Sequence, residues 1–110
     1  MADVNLDTPV LDTIAALTEA SIERTDLKEE ELVLVRLAAL AAVDARPVSY
    51  LAHIGAAAEA GVTVEQVQDV LVAVSPIIGT ARTMSAAINI TEALGLAIAV
   101  IEEDIESNGA

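Results

Sequence analysis

Gly61-Val62-Thr63-Val64-Glu65-Gln66-Val67-Gln68-Asp69-Val70-Leu71-Val72-Ala73-Val74 is the segment on which the fold class turns. Its valines suit a strand as well as a helix. Two features decide for helix. Val64, Val67, Val70, Leu71 and Val74 recur at three- and four-residue steps, the period of one helical face. Thr63 followed by Gln66 is a capping box, in which each side chain satisfies the other residue's backbone N–H. Gly61, just upstream, is a natural left-handed end for a preceding helix. The segment therefore reads as one helix stopping and another starting.

Working backwards, Pro47 opens the helix that Gly61 closes, after a break at Asp44-Ala45-Arg46. Before the break, Leu32–Val43 is apolar except for Arg36, so this helix is expected to be buried on most sides. Asp26-Leu27-Lys28-Glu29 reads as its start, with Asp26 at the cap and Glu29 at the third helical position. Glu29, Glu30 and Glu31 suit the positive end of the helix dipole. Asp7-Thr8-Pro9 starts a first helix, with Val10, Leu11, Ile14, Leu17 and Ile22 as its apolar stripe. Working forwards, Ser75-Pro76 is expected to end the valine-rich helix, because the residue before proline disfavours the α region. Pro76-Ile77-Ile78-Gly79 then leads into a last helix from about Thr80. The pattern admits a helix that runs to Ile105 or one that pauses near Gly95. Met1–Leu6 and Glu106–Ala110 are expected to fray. No Asn-Gly or Asp-Gly turn joins two apolar runs, and no internal repeat is visible. The expectation is an all-α single domain of five or six helices over residues 1–110.

Composition narrows the function. The 110 residues carry 18 acidic and 5 basic side chains, for a formal charge of −13. Such a balance argues against nucleic acid and against anionic membrane surfaces, which need clustered Lys and Arg. Cysteine is absent, which removes disulfides, thiolate metal sites and thiol redox chemistry. No basic n-region with an apolar core opens the chain, and no apolar run approaches the ~20 residues that span a bilayer. A cytoplasmic location is the expectation. The chain is nevertheless 55% apolar, with a mean hydropathy of +0.59. So much apolar surface on 11.3 kDa points to a homo-oligomer that buries a second face. The last helix, with Ile88, Ile90, Leu94, Leu96, Ile98, Val100 and Ile101, is the expected interface element.

The chain has one histidine, His53. Ser49 precedes it by one turn and Arg46 by two, so the three share a helical face. A base, a hydroxyl and a fixed cation on one face can hold a carboxylate and move a proton. The same spacing also fits a histidine bonded to a nearby carbonyl, with no chemical role. Arg82, at the opening of the last helix, is a second candidate for an anion; the competing reading is a salt bridge. Arg36 should be paired, with an acid as the expected partner, and Tyr50 should pack with its hydroxyl at an edge. No metal site is expected: His53 lacks ligands at suitable spacing, and Glu102, Glu103, Asp104 and Glu106 read as a solvated face.

Glu31-Leu32-Val33-Leu34-Val35-Arg36-Leu37, the break, Ser49-x-x-x-His53, and Ala60-Gly61-Val62-Thr63-x-Glu65-Gln66 together resemble the carboxymuconolactone decarboxylase family, which includes the alkyl hydroperoxidase D proteins. The resemblance covers about residues 24–95. It implies an all-α fold and a homotrimer or hexamer. Peroxidase members carry Cys-x-x-Cys-x-x-x-His; here Arg46 and Ser49 stand in the cysteine positions, so thiol peroxidase activity is not expected. Decarboxylase members carry Arg-x-x-Glu-x-x-x-His; this chain keeps Arg46 and His53, with Ser49 for the glutamate. The resemblance implies a cofactor-free lyase acting on a small carboxylate-bearing molecule. Arg46 would then hold the carboxylate and His53 would act as acid or base; Ser49, on the same face, is expected to assist by hydrogen-bonding a polar atom of the substrate, and Arg82, from its place at a helix start, is the second substrate-binding candidate. The alternative is a non-catalytic helical oligomer that serves as a binding or accessory protein.

Overall fold

The computed structural model describes residues 7–109, with side chains through residue 99 and at Glu103. It consists of five helices: α1 (Pro9–Arg24), α2 (Glu29–Ala42), α3 (Pro47–Glu59), α4 (Val64–Ile78) and α5 (Thr80–Gly109). No strand occurs among the described residues, so the valine-rich segment is helical and the fold is all-α. No helix among them is long and apolar enough to cross a membrane. Met1–Leu6 lie outside the described residues.

The helix ends follow local chemistry. Thr63 caps α4: its hydroxyl accepts from the Gln66 N–H at 3.1 Å, and the Gln66 side chain accepts from the Thr63 N–H at 2.8 Å. The α3 terminus is a Schellman motif, with Val62 N–H bonded to Ala57 O and Gly61 N–H to Ala58 O. Gly61 takes φ 77°, which glycine adopts without a Cβ clash. The end of α2 repeats this motif with a different residue. Ala45 N–H reaches Leu40 O and Asp44 N–H reaches Ala41 O, while Asp44 itself holds φ 55°. Aspartate is among the few side chains that tolerate this region.

Three boundaries differ from expectation. α2 starts at Glu29, with Lys28 rather than Asp26 at the cap. The Glu31 carboxylate accepts from the Lys28 N–H at 3.0 Å, which moves the box two residues along. α4 continues through Pro76 to Ile78. Proline leaves the Val72 carbonyl without its helical donor, and the Ser75 hydroxyl donates to that oxygen at 2.9 Å instead. The turn comes at Gly79, whose φ of 91° and ψ of 164° define a region essentially reserved for glycine. α5 is the unbroken one of the two alternatives, and it differs only at its end, continuing through Glu106 to Gly109 where fraying was expected.

The core lies where α2, α3 and α5 meet. Val33, Leu37, Tyr50 and Ala93 form its buried centre, with Leu40, Ile54, Val67 and Ile90 packed around it. α4 covers α2 and α5 from another side. α1 stands apart and buries none of its residues. Its stripe of Val10, Leu11, Ile14, Leu17 and Ile22 is exposed.

Candidate functional site

His53 sits in the middle of α3, half-buried. Its Nδ1 lies 2.8 Å from the Ser49 carbonyl oxygen, one turn earlier. A carbonyl can only accept, so Nδ1 carries the proton in that bond. In the neutral ring Nε2 is then an unprotonated acceptor, the form a general base needs. Ser49 thus acts through its backbone, fixing both the tautomer and the ring orientation.

Two clefts meet the imidazole. The first, about 280 Å³, lies between α3, α4 and α5 and is walled by Ile54, Val67, Leu71, Ile90 and Leu94 beside His53. Its lining is mostly apolar, and no Arg, Lys, Asp or Glu contributes to it. Tyr50 is also in its wall. That residue is 1% exposed, and its hydroxyl is buried with no hydrogen-bond partner. The expectation of a hydroxyl at an edge is corrected: Pro47 starts α3 so that Tyr50 turns fully into the core. Burial, and secondarily the Asp44 charge, raise its pKa above the ordinary tyrosine value.

The second cleft, about 330 Å³, lies beneath α1. Ile14, Leu17, Thr18 and Ser21 form one side, and Arg36, Leu40 and His53 contribute to the other. The Arg36 guanidinium donates to the Ser21 hydroxyl at 3.0 Å. The expected acidic partner of Arg36 is therefore replaced by a hydroxyl.

The remaining candidates are placed elsewhere. Arg46 is the N-cap residue of α3 and is exposed. Neither Arg46 nor Ser49 lines either cleft, so of the three residues on that face only His53 borders these two clefts. Arg82 is exposed, and its guanidinium donates to the Ala42 carbonyl at the end of α2. There it meets the negative end of a helix dipole, a use distinct from both the anion site and the salt bridge that the sequence suggested. Ser85 and Asn89, on the same side of α5, continue this seam. The Ser85 hydroxyl donates to the Asp44 carboxylate at 2.5 Å, and the Asn89 amide donates to Ala45 O at 3.0 Å. The seam locks the α2–α3 connection, and with it the start of the helix that carries His53. Sequence reasoning missed Arg36 as a cleft residue. Its faint signal is Leu40 one turn later, on the same side of α2.

The model of the carboxymuconolactone decarboxylase family matches residues 8–93. The match begins upstream of the residues that carry the resemblance and takes in all of α1. No curated protein and no solved structure matches the chain.

Proposed function

The chain belongs to the carboxymuconolactone decarboxylase family, and from that premise we propose that it is a cofactor-free lyase for a small carboxylate-bearing molecule. The observation that carries the reading is the imidazole of His53, tethered at Nδ1 to the Ser49 carbonyl and bordering both clefts. Loss of CO2 leaves an electron pair on carbon. A substrate carbonyl conjugated to that carbon can hold the pair as an enolate, and a proton must then return. Nε2, unprotonated in the resting tautomer, first takes a proton from the substrate's carboxylic acid or from water and then delivers it to that carbon, ending unprotonated again. A well-placed acid or base of this kind contributes about 10²–10⁴-fold to rate. Arg46, Ser49 and Arg82 touch no substrate in this scheme. Ser49 orients His53, and Arg82 braces the loop before α3. Without cysteine the chain performs no thiol-dependent peroxide reduction.

The test is CO2 release from a panel of carboxylated lactones and β-keto acids. At least tenfold slower release by His53→Ala than by the wild type is expected, with unchanged circular dichroism. Equal release by both proteins would overturn the reading. Failure of every panel member would favour the second reading, a non-catalytic helical oligomer that binds or presents a partner. Exposed apolar residues favour that reading: Ile77 is 86% exposed and Val72 71%. Both readings share a further proposal, that the chain assembles as a homotrimer or hexamer.

A further inference from the structure

We propose that the groove beneath α1 is a binding site for a small aliphatic monocarboxylate, with Arg36 as its cation. The inference rests on the reading above only in using the same imidazole; it names a different residue for the carboxylate.

Elimination among the five basic residues comes first. Arg24 lies exposed in the last turn of α1, Lys28 is the exposed N-cap residue of α2, and Arg46 is exposed before α3. Arg82 is committed to the Ala42 carbonyl. Arg36 is the one basic residue that lines either cleft. It is half-buried in the most apolar stretch of the chain. Among the described residues the Ser21 hydroxyl is its sole hydrogen-bond partner, although the chain carries 18 carboxylates. A guanidinium has five N–H donors, and the Ser21 hydroxyl takes only one of them, which leaves the others available to a ligand in the open groove. A carboxylate accepts two of them in parallel, which is the strongest pairing available.

The rest of the groove defines the ligand. Ile14, Leu17 and Leu40 offer an apolar wall for a hydrocarbon body. The Thr18 hydroxyl is occupied, donating to the Ile14 carbonyl at 2.9 Å. One free cation beside one imidazole matches a single negative charge. A phosphate or a tricarboxylate would need more donors and would meet the repulsion of a −13 chain.

Hexanoate and its neutral counterpart hexanamide are the probes, read by NMR on the His53 imidazole and the Arg36 Nε–H of the full chain. Hexanoate is expected to shift both signals saturably, and hexanamide to bind at least tenfold more weakly. Arg36→Gln should weaken hexanoate at least tenfold, Arg36→Lys should recover part of the loss, and Arg24→Gln should change nothing. An Arg36 signal indifferent to hexanoate in the wild type would overturn the inference, whatever the variants do to folding. So would equal affinity for hexanoate and hexanamide. Hexanoate binding lost with Arg46→Gln but kept with Arg36→Gln would sink this site and leave the role of His53 standing. Conversely, Arg36-dependent binding alongside unchanged CO2 release by His53→Ala would keep the site and remove His53 from the lyase chemistry.

Discussion

The Tyr50 hydroxyl is a polar atom sealed in an apolar core without a partner. Leaving such a group unsatisfied costs about 1–3 kcal/mol. Tyr50→Phe removes the oxygen and keeps the ring, so the variant should melt higher, by about 4–8 °C for each kcal/mol gained. A lower melting temperature would show that the hydroxyl has a partner in solution. The pH dependence follows from the raised pKa. Above the ordinary tyrosine value the unfolded chain releases this proton before the folded one does. Stability is therefore full below about pH 10 and falls as pH rises through the folded-state value. The Phe variant should lack that component of alkaline destabilisation, as paired melting curves at pH 9 and 11 would reveal. At this scale the sequence was legible where a partner lies one turn away. The bond from His53 to a nearby carbonyl is a matter of helical spacing. Arg36 with Ser21, Arg82 with Ala42, and Ser85 with Asp44 join residues far apart in sequence, and no local pattern announces them.

Among the helices, the caps with side-chain logic were readable: Pro9 and Pro47 at helix starts, and the Thr63–Gln66 box. Where competing hydrogen-bond partners stood close together, reading by pattern placed the boundary short or early. Asp26 offered a cap, but Glu31 reached back to Lys28. Pro76 offered a stop, but Ser75 supplied the donor that proline lacks. This last compensation gives a prediction for α4. Ser75→Ala leaves the Val72 carbonyl without a donor and should cost about 0.5–1.5 kcal/mol, the net worth of one hydrogen bond. Backbone hydrogen exchange should accelerate from Ile77 to Gly79 and stay unchanged at Val67–Val70. Uniform acceleration along α4 would show that the proline turn is held by packing alone.

As a whole molecule, the chain presents 8038 Å² to solvent. A compact monomer of 11.3 kDa would present roughly 5,700 Å². The difference includes the apolar stripe of α1 and the outward residues Ile88, Leu96 and Ile98 of α5. Inward residues of α5, Ile90 and Leu94, line a cleft instead, so this helix divides its apolar residues between core and surface. Light scattering at micromolar concentration is expected to report three or six times 11.3 kDa; a single-chain mass would reject the assembly. The excess was legible in composition, but which faces carry it depended on how α1 sits. That helix buries no residue, and its 16 residues are near the lower length at which an isolated helix holds in water, about 12–15. Cooperativity is the consequence. In the lone chain α1 has little reason to unfold together with the rest, so a calorimetric trace should split into an early, low-enthalpy step and a later main one. A carboxylate bridging Arg36 to the α1 side of the groove, or a second subunit laid over the stripe, would merge the two into a single transition.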